Sequence, residues 1–246
     1  MLVLALPHSP LLAARPACSC IPQSGAVRRG LQEVLAGLEG LGTETQVARM
    51  AAERLPEATE LALDTAVALL ASVQDGGWGH GRRVVALAVA LAEAAGLSAE
   101  QIRSVRWGAA LHDLGKVRVP REVLDKPGPL TGEERALVQR HAGWGADLLT
   151  PLPLPGAVVA AVRHHHERWD GGGYPRGLRS RRIPVTARIV AIADVYDALI
   201  SARPYKPAWC EREAARLILR EAGGQFDPRL ARLFVREVLS FGDLAV

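Results

Sequence analysis

A chain of 246 residues, 49% of them apolar, can bury one large core, and a net charge of +4 from 30 basic and 26 acidic side chains is too mild and too dispersed to mark a nucleic-acid surface. No run approaches the ~18 apolar residues that span a bilayer. The three cysteines, Cys18, Cys20 and Cys210, build no disulfide framework, so a soluble chain in a reducing, cytoplasmic setting is expected. The opening "MLVLALPHSPLLAARPACSC" lacks a basic n-region and carries early prolines, so it reads as no export signal. Residues 1–25 look irregular, and helical patterns follow at about 26–40 and 44–73, the second interrupted near Pro56. "DGGWGHG", Asp75 to Gly81, breaks the chain. Beyond it the period is helical throughout. Arg82 to Ala95 stops at Gly96, Ser98-Ala99-Glu100-Gln101 and Thr131-Gly132-Glu133-Glu134 are capping boxes, and Asp227-Pro228 opens the last helix. With no alternating strand pattern, the prediction is an all-α fold of about eight to ten helices.

The polar residues land in unexpected places. Ile102, Val105 and Ala109 form a buried stripe that His112 continues. In the helix predicted from Thr131, Leu137 and Leu148 flank His141. Val158 and Val162 lead to His165 and His166 in the run "HHHERWDGGGYP", and Val190 lies one turn before Asp194, with Asp197 after it. Four helices thus aim imidazoles or carboxylates inward. One such residue is ordinarily a hydrogen-bonded core histidine. Five or six, each needing its own partner, are better satisfied together by a shared metal, and imidazole with carboxylate suits Fe, Mn or Zn.

"HDLGKVRVP" (His112 to Pro120), joined to "HHERWDGGGYP" (His165 to Pro175), resembles an HD-GYP domain, a branch of the metal-dependent HD phosphohydrolases. The likeness runs from about His80 to Leu230 and takes in "KPGPLTGEE", "QRHAGWGADLL", "RIVAIADVYDALISARPYK" and "GGQFDP". It implies an HD-type multi-helix bundle over residues 74–246, with residues 1–73 as an N-terminal helical extension of unknown role. It also implies hydrolysis of cyclic di-GMP to pGpG, GMP or both. By the same resemblance His80, His112, Asp113, His141, His165, His166 and Asp194 would bind two divalent ions, Fe or Mn. Asp113 would bridge them and Lys116 would hold the scissile phosphate. Arg203 and Lys206 would grip phosphate oxygens, and Gly173, Tyr174 and Pro175 would form a loop beside the site. The glutamate that in some members holds a third ion is replaced by Gly76, so a binuclear centre is expected, with Asp75 the neighbouring acid that could restore a third site. His164 points about 100° from His165 on a helix and is read as a neighbour of the site or a surface residue.

Phosphodiesters resist hydrolysis because the anion repels hydroxide and the alkoxide leaves poorly, and paired divalent cations address both. Arg176, Arg179, Arg181 and Arg182 make the loop after Pro175 basic, either as a solvated surface or as a capture site for a dinucleotide. Trp169 beside the ligands is expected to buttress the turn rather than stack a base. Cyclic di-GMP is the expected partner, with no nucleic-acid polymer and no membrane. The N-terminal helices or the GYP loop are the surfaces for a second copy or a signalling protein. The competing readings are an HD phosphohydrolase of another nucleotide and an inactive sensing module.

Overall fold

A computed structural model describes residues 79–152, 154–202 and 207–244. Residues 1–73, Asp75, Gly76, Arg203 and Lys206 lie outside them, so the expectations placed there are not addressed by the structure. Nine α-helices follow one another among the described residues: α1 His80–Ala94, α2 Ala99–Leu111, α3 Arg121–Leu124, α4 Gly132–Gln139, α5 His141–Leu149, α6 Gly156–His164, α7 Val185–Ile200, α8 Glu211–Arg220 and α9 Pro228–Leu233. A 3-10 turn, Leu114–Arg118, links α2 to α3. The described residues contain no strand, only an isolated bridge between Ala222 and Phe226, so the all-α expectation holds. None of their helices is long and apolar enough to cross a membrane.

The ends are written in local chemistry. Ser98 and Thr131 each complete a reciprocal capping box, with Gln101 and Glu134 respectively. Asp227 accepts from Arg229 and Leu230 ahead of Pro228 in the first turn of α9. Past α1, Gly96 takes φ +72°. Its amide bonds Glu93 O and the Leu97 amide bonds Ala92 O, the Schellman arrangement that a left-handed glycine permits.

Helix α7 is the hub. Ile189 through Ala193 are all buried, as befits a helix apolar on nearly every side, and it packs on α1, α2, α6 and α8. One core cluster joins Val84 and Leu91 of α1 to Val105 of α2, Ile192 of α7 and Phe234. A second joins Trp107 and Leu111 of α2 to Leu149 of α5 and Val162 of α6. Helix α2 serves both, and His112 is the next residue after it. Two close approaches set the spacing. A Cβ on Gly108 would strike Ala161 of α6, and one on Gly115 would run into the backbone of His141 and Gly145 in α5.

The helix predicted from Thr131 through Leu148 is in fact two. Arg140 closes α4 and opens α5. There the His141 ring shares the Val138 carbonyl, at 2.7 Å, with a backbone amide of the helix end. Likewise α6 stops at His164, so His165 and His166 stand just past its end rather than within it.

Candidate metal centre

Three of the histidines share one local arrangement. His112 Nδ1 lies 2.7 Å from Ala109 O, His141 Nδ1 2.7 Å from Val138 O, and His165 Nδ1 2.8 Å from Val162 O. Each carbonyl lies in the last turn of a helix, where C=O groups run out of amide donors. A carbonyl only accepts, so the ring proton sits on Nδ1 and Nε2 carries a lone pair. Local sequence therefore fixes three tautomers and aims three bare Nε2 atoms away from their own helices.

Those atoms meet other acceptors. His141 Nε2 is 3.3 Å from His165 Nε2 and 3.5 Å from Asp113 Oδ1. His112 Nε2 is 3.5 Å from Asp113 Oδ2 and 3.8 Å from Asp194 Oδ1, and it is buried without a hydrogen-bond partner. Stranding one buried acceptor costs about 1–3 kcal/mol, and a cluster of them multiplies that cost. Ligand atoms each about 2.0–2.2 Å from one cation lie roughly 3–4 Å apart, so the separations fit shared ions. Two triads gather donor atoms in this way, His141–His165–His166 and His80–His112–Asp194, each within 4.8 Å of one another. Asp113 gives one oxygen to each side. All seven predicted ligand residues converge.

The electrostatics match. Burial pushes the His165 imidazolium far below its ordinary range, helped by His166 and His112, and it pushes His166 down to about 4 and His141 down as well. These rings are neutral donors at neutral pH. Burial alone would raise Asp113, but positive charge nearby, which includes the Lys116 ammonium, holds its carboxyl well below the usual range. Asp194 is likewise held low against burial by the His80 hydrogen bond and His112. His80 is raised to about 9 by Asp194 and Asp197, so positive charge is favoured between those acids.

Among the polar contacts not assigned from sequence are those of Asp197 and Lys116. Asp197, expected only as an inward acid beside Asp194, is fully buried and bonds His80 Nδ1 at 2.6 Å and Arg83 Nε at 2.5 Å. It orients the ring whose Nε2 faces Asp194 at 3.4 Å, as carboxylates do behind metal-ligating histidines. Lys116 Nζ sits 2.5 Å from Asp113 Oδ2 and stays partly exposed at the rim. Tyr174 lies against His166 with ring centroids 4.8 Å apart, and Pro175 and Arg176 are exposed beside it. Gly173 has no room for a side chain, because a Cβ would run into the backbone of His166, Glu167 and Arg168. His164 lies outside both triads, with Nδ1 3.4 Å from Glu167 Oε1. Trp169 bonds Gln225 O through its amide at 3.0 Å and carries the Arg188 guanidinium 5.8 Å above its ring, a buttressing position.

The HD domain model matches residues 64–230 of the sequence. The chain belongs to the HD domain family. Among curated relatives, a cyclic di-GMP phosphodiesterase response regulator of Xanthomonas campestris pv. campestris is 46% identical over 150 residues, 59% of this chain and 39% of the relative. A cyclic di-GMP phosphodiesterase of Pseudomonas aeruginosa is 45% identical over 160 residues, 65% of this chain and 38% of the relative. The chain thus spans less than half the length of these relatives. A 3'3'-cGAMP-specific phosphodiesterase of Vibrio cholerae is 37% identical over 63% of this chain and 30% of its own. Among solved structures, an HDG"Y"P protein of Bdellovibrio bacteriovorus shares the fold at TM-score 0.55 and 22% identity, over 88% of this chain and 70% of that one.

Proposed function

We propose that this chain hydrolyses a phosphodiester bond of cyclic di-GMP, giving pGpG, GMP or both, at a centre of two divalent ions, iron or manganese. The observation that carries the reading is Asp113, whose two carboxylate oxygens each face a different histidine-bearing triad while Lys116 sits on one of them. His141, His165 and His166 would hold one ion and His80, His112 and Asp194 the other. Bound divalent cations supply Lewis acidity toward a phosphoryl oxygen and toward water.

The chain's own residues do the rest. Fixed Nδ1–H tautomers keep the Nε2 lone pairs directed inward before substrate arrives, so no reorganisation is spent on them. The Lys116 ammonium, at the rim, reaches a non-bridging phosphate oxygen where negative charge grows. The Arg176, Arg179, Arg181 and Arg182 side chains are exposed and raise the local concentration of an anionic dinucleotide. Arg203 and Lys206 are proposed to grip its phosphates. Water protonates the leaving group.

A second reading, another cyclic dinucleotide, has support in the relative named for 3'3'-cGAMP. Turnover of cyclic di-GMP, 3'3'-cGAMP, pGpG and simple nucleotides by manganese- or iron-loaded protein separates the two. Preference for cyclic di-GMP supports the proposal, preference for cGAMP replaces the substrate, and binding without turnover makes the chain a sensor. Within the favoured reading, Lys116→Ala keeps its metal and loses about 10²-fold in kcat, the usual cost of one transition-state donor. Elemental analysis beside steady-state kinetics checks this. An unchanged kcat would remove Lys116 from the chemistry.

A further inference from the structure

A carboxylate directly after three histidines would ordinarily turn to solvent, yet Glu167 is only 3% exposed. Its two oxygens are used on the backbone. Oε1 accepts the Arg176 amide at 2.8 Å and Oε2 accepts the Leu178 amide at 2.9 Å. Between the donors lies Gly177 at φ +62°, and the segment reaches them from Gly171 at φ +84°. The near end of this loop is tied elsewhere, by the Tyr174 amide on His166 O at 3.2 Å and by the Trp169 and Asp170 amides on Gln225 O and Gly224 O. Its far end is closed by the Ser180 amide on Trp169 O at 2.9 Å, and the stretch between, where Pro175, Arg176 and Gly177 are exposed, is held by the Glu167 carboxylate.

We propose that Glu167 is a positioning residue for substrate. By holding the amides of Arg176 and Leu178 it fixes the stretch of loop after Tyr174 and presents Arg176 to the anionic substrate. It touches neither metal nor substrate. The inference rests on the phosphodiesterase reading of the site, and its test separates the two.

Glu167→Gln keeps the shape but turns an NH2 toward one of the two amides, so one bond is lost. The expected result is KM for cyclic di-GMP raised about tenfold, with kcat within about threefold and unchanged metal content. Amide hydrogen exchange should speed up in residues 174–180 and nowhere in α2, α5 or α7. Glu167→Asp, which keeps the charge but withdraws it by one methylene, should move both readouts the same way and serves if the glutamine variant does not fold. Unchanged KM with faster loop exchange, unchanged exchange, or faster exchange across the helices with metal loss would each overturn the proposal. If the wild type turns over no cyclic dinucleotide, the functional reading fails by itself. Loop exchange in the variants then still decides whether Glu167 is the anchor.

Discussion

Asp113→Ala is expected to remove both of the proposed ions together and to lower the proposed hydrolysis by about 10⁴-fold or more, the rate equivalent of several kcal/mol of lost charge stabilisation. The geometry makes this residue unlike the other ligands. Oδ1 faces His141 Nε2 at 3.5 Å and Oδ2 faces His112 Nε2 at 3.5 Å, so one side chain completes both triads. Removing it leaves one side with imidazoles alone and the other with only Asp194 as carboxylate, so much of the anionic charge that would balance two divalent cations is gone. His80→Ala is the comparison: it removes one ligand from one triad and should weaken one ion while the His141–His165–His166 group keeps the other. Metal content per chain, measured on both variants after gel filtration, distinguishes the cases. Asp113→Ala protein that retains two ions would show that Asp113 spans nothing.

Gly115→Ala destabilises the fold by about 3 kcal/mol and lowers the metal content with it. The cause is space. A Cβ on Gly115 would be driven into His141 O and would sit against Gly145 N, both backbone atoms of α5 that no rotamer change can move. The turn carrying Lys116 and following Asp113 must then lift off the helix that begins with His141. For a domain of this size, about 2–4 °C of Tm is lost per kcal/mol, so a drop of roughly 10 °C is expected. Gly143→Ala in the same helix meets nothing within 4 Å and should be neutral or stabilising by about 0.5–1 kcal/mol. A Gly115→Ala protein with unchanged Tm and full metal would contradict the packing described.

Much of the helical framework was legible because its signals are local. The boxes at Ser98 and Thr131 and the Asp227-Pro228 start need only a few neighbouring residues to be read. His112 and His165 were reached by helical period, since the buried residues before them, Ala109 and Val162, do lie on the inner face. His141 was reached by a wrong route. Arginine is a good helix former, and nothing at Arg140 announces the break that the structure shows there. Asp197 was visible as an inward acid, but its hold on His80 joins residues 117 positions apart and no period carries that information. Glu167 and Gly115 were missed for opposite reasons. Charge argues for solvent where two backbone amides argue for burial, and a glycine in a short turn gives no sign of the helix pressed against it. Arg203 and Lys206 remain assignments by resemblance.

The central claim is that neutral imidazoles and ionised carboxylates from distant helices face one another because two cations belong between them. Its most direct test is the metal content of wild-type protein purified anaerobically and then loaded with iron or manganese. Two ions per chain, with an apo form of lower Tm that recovers on adding metal back, are predicted. A chain that binds neither metal, and whose Tm ignores both, would contradict it.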